Sequence, residues 1–206
     1  MITQKRQFQT IDLTMGALFV GLMAIGANIS VWLPFLKVTF GGTTIPISLQ
    51  TFFALLAGLL LGSRLGAFSM IAYLLVGATG VPVYSEMSGG VIHLASPTGG
   101  FLISFIFVAW VAGFIVEKSK QTASFGTYIA ASLTGLAVNY LIGTHYMYAS
   151  LNWWMDSEIS LSAAWSIMVP FLVKDMILTF VVAAISVKMV PRISSIISSR
   201  PISSRS

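Results

Sequence analysis

Residues 45–100 read IPISLQTFFALLAGLLLGSRLGAFSMIAYLLVGATGVPVYSEMSGGVIHLASPTGG, and this stretch decides the fold. Two apolar runs, Leu49–Leu61 and Leu65–Thr79, are joined only by Gly62-Ser63-Arg64. So short a link between two such runs predicts an antiparallel helical hairpin. A long loop, Val81–Thr98, follows, broken by Pro82, Gly89, Gly90 and Pro97 and carrying Tyr84, Glu86, Ser88 and His93. Loops of this length inside a compact chain are often functional. Ser96-Pro97 is placed to open the next helix, as N-cap and first helical residue.

Outward from the hairpin, most of the chain is apolar. Of its 206 residues 56% are hydrophobic and 8% charged, and the mean hydropathy is +0.91, which excludes an ordinary soluble domain. The length accommodates about six spans of roughly 20 residues. We expect spans at Ile11–Leu33, the two hairpin runs, Thr98–Val116, Ser124–Tyr148 and Ala163–Val190, the last with Pro170 inside it. Residues 1–10 read as a cytoplasmic tail, 11–190 as one membrane core, and 191–206 as a basic, Ser-rich, disordered tail. The first apolar run is longer than a signal-peptide core, so it is kept as a span.

Charge sets the orientation. Lys5, Arg6, Arg64, Lys118, Lys120, Lys188, Arg192, Arg200 and Arg205 fall on one side of a six-span arrangement, with Lys37 on the other. That asymmetry places both termini in the cytoplasm. The loops Phe35–Ile45 (with turn-prone Gly41-Gly42), Val81–Thr98 and Ala149–Ser160 then share the outer face above a binding cavity. The net charge of +5 is explained by topology rather than by a nucleic-acid-binding face. There is no cysteine, hence no disulfide and no thiolate metal site. No HExxH, GxSxG or P-loop pattern appears, so neither an enzyme centre nor an ATP site is expected.

The pieces PISLQT (46–51), LLAGLLLGSRLGA (55–67), GVPVY (80–84), SGG (88–90) and PTGG (97–100) stand in an order and spacing specific as a set. Together they resemble the BioY family, the biotin-binding S components of energy-coupling factor (ECF) vitamin transporters. The resemblance implies an all-α, multi-pass cell-membrane protein that binds biotin without a cofactor. It also implies partners: a transmembrane coupling subunit and two ATP-binding-cassette ATPase subunits. An S component for another small vitamin is the alternative within this class. A lipid-modifying intramembrane enzyme using Asp175 with His145, or a membrane scaffold protein, is the alternative outside it.

Lys174 and Asp175 are adjacent ionisable residues inside the sixth span, where a charge costs about 2.5–3.5 kcal/mol on insertion scales and so faces a cavity or a partner. Family members commonly carry an aspartate followed three residues later by a lysine. Asp175 fits that aspartate, but the position three residues on is Leu178, and the lysine precedes instead. Biotin offers two ureido N–H donors, a ureido carbonyl, a carboxylate and an apolar body. Asp175 would accept from a ureido N–H, and Asn139 would pair with either edge. Lys174, or N–H groups around Ser88-Gly89-Gly90, would meet an anion. Tyr84, Trp153 and Phe171 would supply walls. Gln50 and Thr51, at the start of the second span, divide between ligand contact and helix capping. His93 reads as a loop residue and His145 as part of an interfacial cluster. On the first span, Ala17 and Gly21 have the four-residue small-residue spacing that admits close helix approach. The resemblance implies docking of the coupling subunit there, and packing within the chain is the alternative.

Overall fold

The computed structural model describes residues 9–40, 43–119 and 123–198. The outer parts of both expected tails, 1–8 and 199–206, lie outside the described residues. The architecture is a bundle of long helices, α1 (Thr10–Trp32), α2 (Gln50–Ala78), α4 (Gly99–Lys118), α5 (Phe125–Trp153) and α6 (Leu161–Ser198), with a short α3 (Ile92–Ala95) before α4. All five long helices are long and apolar enough to cross a membrane. The chain is a multi-pass membrane protein.

The predicted hairpin lies within α2. Gly62 leaves helical geometry (φ 83°, ψ 172°), a conformation open to glycine and strained for other residues. The arms on either side fold back on one another. Gln50 Nε2 donates to Tyr73 Oη at 2.9 Å, although 23 residues of straight helix would hold them about 35 Å apart. Counting these arms separately gives six. Residues 50–61 rise only about 18 Å against a hydrocarbon core of about 30 Å. The polar start of this arm therefore sits within the bundle, where Gln50 and Thr51 are buried.

Without a hydrophobic force between helices in lipid, close packing holds the bundle together. A methyl group added at Gly58 would meet the Ala109 carbonyl oxygen, and one at Gly113 the Ser63 backbone, so α2 and α4 approach backbone to backbone. Glu117 at the end of α4 accepts from both N–H and Oγ of Ser63, each at 2.7 Å, which pins the hairpin turn to that end of the bundle. At the other end the long loops are tied together. Ser150 Oγ donates to Ala95 O (2.9 Å), and Lys37 Nζ bonds Glu86 Oε1 (3.1 Å). The loops thus share one face and the short connectors the other.

Four expectations change. The segment read as a Phe35–Ile45 loop contains an antiparallel ribbon, β1 (Lys37–Phe40) with β2 (Thr43–Pro46), in the register Lys37↔Pro46 to Phe40↔Thr43. α4 begins at Gly99 with Thr98 as N-cap, because Ser96 Oγ is turned to His93 O and Thr98 Oγ1. α5 runs on to Trp153, leaving a shorter loop after it. α6 continues through Pro191 to Ser198, so the part of the expected disordered tail that is described is helical. A proline lacks a donor but does not forbid a helix whose neighbouring bonds persist.

Candidate functional site

Beneath the long loops lies a cavity of about 620 Å³, within the range of small-molecule sites. Its floor and sides are apolar, formed by Phe101, Leu102 and Phe105 of α4 and by Met168 and Phe171 of α6. Polar residues line it too, among them two clusters on the long helices.

The first is centred on Asn139 of α5, which is 1% exposed. Its Oδ1 accepts from Ser104 Oγ (2.6 Å) and its Nδ2 donates to Thr51 Oγ1 (3.3 Å), joining α2, α4 and α5. An amide nitrogen has two hydrogens, so one N–H is left without a bond to any described residue.

The second is Lys174 with Asp175. Consecutive residues on a helix diverge by about 100°. Yet the lysine stem bends back so that Nζ lies 2.7 Å from Asp175 Oδ1 while donating to Ser48 O at 2.6 Å. Tyr140 Oη donates to the other carboxylate oxygen, Oδ2, at 2.9 Å. Oδ1 touches the ammonium but receives no hydrogen bond from any described residue. Asp175 lines the cavity, but Oδ1 itself is buried, so a ligand reaches it only by displacing part of its cover.

Eight of the eleven residues named from sequence for the ligand line this cavity: Gln50, Thr51, Tyr84, Ser88, Asn139, Phe171, Lys174 and Asp175. Two of them contribute chiefly to the walls. Gln50 spends its amide on Tyr73 Oη, which in turn donates to Val83 O, and accepts from Ser85 Oγ at 3.4 Å. Tyr84 is 2% exposed and donates to Leu74 O. Burial holds its phenol above the ordinary pKa, so it remains a donor.

Gly89 and Gly90 do not line the cavity. The Gly90 N–H is committed to Gly77 O at 2.7 Å, and a side chain at Gly89 would collide with the Val81 carbonyl. Both positions serve backbone fit, and the Gly90 N–H is not free for an anion. Trp153 is 76% exposed and is no wall. His145 is exposed on α5, bonds Leu141 O and packs edge-on to Trp165, away from Asp175's cavity. Leu178 does not line the cavity either, and the cation there is Lys174.

Tyr140, Ser104, Phe101 and Phe105 were not legible in advance. A Tyr or Phe at helical spacing in an apolar span reads as core, and only the pairing of α5 with α4 and α6 turns these residues inward. Ala17 and Gly21 are both exposed, and no described residue lies within 4 Å of a methyl group built at Gly21. The glycines of α1 that pack within the chain are Gly16, against Ser69 and Leu65, and Gly26, against Phe53 and Leu49.

A membrane helix bundle with an ion pair lining a largely apolar cavity defines a class: intramembrane binders of small polar-headed molecules. Residues 3–195 match the model of the BioY family, and the chain belongs to that family. It is 43% identical over 186 residues to the putative biotin transporter BioYB of Bacillus subtilis, covering 88% of this chain and 90% of that one. To the biotin transporter BioY of Thermotoga maritima it is 33% identical over 179 residues, covering 86% and 95%. Its fold is similar to the crystal structure of the S-component for biotin from an ECF-type ABC transporter. The TM-score is 0.72 with 25% identity, over 87% of this chain and 93% of that one.

Proposed function

We propose that this chain is the high-affinity biotin-binding S component of an ECF-type uptake transporter. The observation that carries this reading is the Lys174–Asp175 pair lining a largely apolar cavity, with Asp175 Oδ1 buried and receiving no hydrogen bond from any described residue. A carboxylate and an ammonium 2.7 Å apart serve one end of a ligand, not both. The ureido ring fits that end: its N–H groups face Asp175, and its carbonyl faces Lys174 or the remaining Asn139 N–H. The thiophane ring and valeryl chain lie along Phe101, Phe105 and Phe171. The carboxylate then points to the mouth, where Ser88, Ser96, Thr98 and His93 line the cavity.

The chain acts as a binder and not as an enzyme, and the exposure of His145 removes the acid–base pair that the lipid-enzyme alternative requires. Energy for uptake comes from a coupling subunit and two ATPase subunits, and the exposed stripe through Ala17 and Gly21 is the proposed docking face.

Thermal unfolding in detergent tests the reading. A ligand at a hundredfold excess over its Kd adds about 2.7 kcal/mol to the folded state. Biotin should raise the melting temperature, whereas thiamine and riboflavin should leave it unchanged. No response to biotin, or an equal response to another vitamin, overturns it.

A further inference from the structure

Asn28 is a polar residue buried in the apolar helix α1, 2% exposed, and it does not line the cavity. Its Nδ2 satisfies itself locally on Ala24 O at 3.0 Å. Its Oδ1 accepts from the backbone N–H of Met87 at 2.6 Å, 59 residues away in the loop over the cavity. That contact falls on a strained turn. Glu86 and Met87 have φ of 59° and 55°, two successive non-glycine residues in the left-handed region. Such a conformation persists only where the surroundings over-determine it.

The turn is also part of the site, because Ser85, Glu86 and Ser88 line the cavity mouth. Among the described residues, three side chains from outside the loop hold it. Lys37 reaches Glu86, but both are substantially exposed (34% and 55%), so water and salt weaken that pair. Gln50 receives Ser85 Oγ at a long 3.4 Å. The Asn28 bond is the shortest of the three, and its acceptor comes from a buried side chain.

We infer that Asn28 is a positioning residue for the substrate cavity: by gripping the Met87 amide it holds the 85–88 turn in the mouth wall and sets how long a ligand is retained. This rests on reading the cavity as the biotin site. Losing the acceptor frees the turn to leave its strained conformation, and the wall opens without any ligand contact having been removed.

The test uses the full chain in detergent or lipid nanodiscs, with release of radiolabelled biotin and hydrogen exchange of residues 84–88 without ligand as its two readouts. Asn28→Leu, which keeps the shape but not the acceptor, should release biotin about tenfold faster and exchange those amides faster. Asn28→Asp keeps an acceptor and should release within about twofold of the wild type. Met87→Gly, added to Asn28→Leu, should recover about three- to fivefold, because glycine adopts this φ without strain. If Asn28→Leu does not fold, Asn28→Ser, too short to reach the amide, takes its place. Unchanged release in Asn28→Leu, or equal acceleration in Asn28→Asp, overturns the inference. A wild type that binds no biotin overturns the functional reading instead. The exchange rates of the ligand-free variants then decide the positioning role: faster exchange supports it and unchanged exchange overturns it.

Discussion

Tyr140 of α5 and Asp175 of α6, 35 residues apart in sequence, meet inside the bundle at 2.9 Å, the phenol donating to carboxylate Oδ2. Both are buried, at 3% and 4% exposure. The bond takes one oxygen of Asp175 and leaves Oδ1, buried and without a hydrogen bond from any described residue, beside the Lys174 ammonium. Hydrogen bonds to a charged group contribute about 1.5–3 kcal/mol, or roughly ten- to hundredfold in affinity. Asp175→Asn should therefore bind biotin at least about tenfold more weakly. Tyr140→Phe should weaken binding in the same direction although it deletes no proposed ligand contact. Isothermal titration on the purified chain measures both, and wild-type affinity in Tyr140→Phe would show that Asp175 is aimed without the phenol.

Lys174 raises a different question, namely which end of the ligand it serves. Its ammonium already contacts Asp175 and Ser48 O, which in the proposed binding pose puts it at the ureido end. Lys174→Met should lower the ligand-free melting temperature, because it leaves the buried Asp175 carboxylate without its charge partner. It should also weaken biotin and biotin amide by the same factor. If the lysine instead held the carboxylate, the amide would lose far less than biotin. The ratio of the two affinities, in wild type and mutant, decides between these outcomes.

Much of this arrangement was legible because single residues carry it. Gly62-Ser63-Arg64 is too short for anything but a tight reversal, and ionisable residues at 174 and 175 in an apolar span demand a cavity. What was not legible depends on partners distant in sequence. Tyr140 is an aromatic in an apolar helix until α6 packs against it. Gly89 and Gly90 have the composition of an anion cradle, but Gly77 O takes the Gly90 N–H. Asn28 gains its meaning from a loop amide 59 residues on. The ribbon of Lys37–Phe40 with Thr43–Pro46 is a different case, since alternating residues around Gly41-Gly42 are a hairpin signal in their own right.

The two faces of α1 lead to opposite outcomes for the same kind of substitution. A side chain at Gly26 would run into the Phe53 ring and the Leu49 backbone, whereas at Gly21 it meets no described residue within 4 Å. Gly26→Trp should therefore destabilise the chain itself. Gly21→Trp, like Ala17→Trp, should fold and bind biotin normally yet fail to co-purify with a coupling subunit, since close helix approach is lost. Recovery of an intact complex with both Gly21→Trp and Ala17→Trp would remove this stripe as the docking face.

Orientation follows from the two ends of the bundle. Glu117 ties the Ser63 turn to the end of α4, which brings Arg64 and Lys118 to one face. Tyr146 and Ser150 tie α5 to Leu94 and Ala95 at the other, about 30 Å along α4, and the loop containing Ser157 leaves α5 there. Basic residues favour the cytoplasmic side, so the face bearing Arg64 is expected inside. The chain has no cysteine, which makes single replacements clean reporters. In intact cells Ser157→Cys should react with a membrane-impermeant maleimide, while Arg64→Cys and Lys118→Cys should react only after permeabilisation. Labelling of Arg64→Cys from outside would invert the protein, and with it the side from which the cavity is filled.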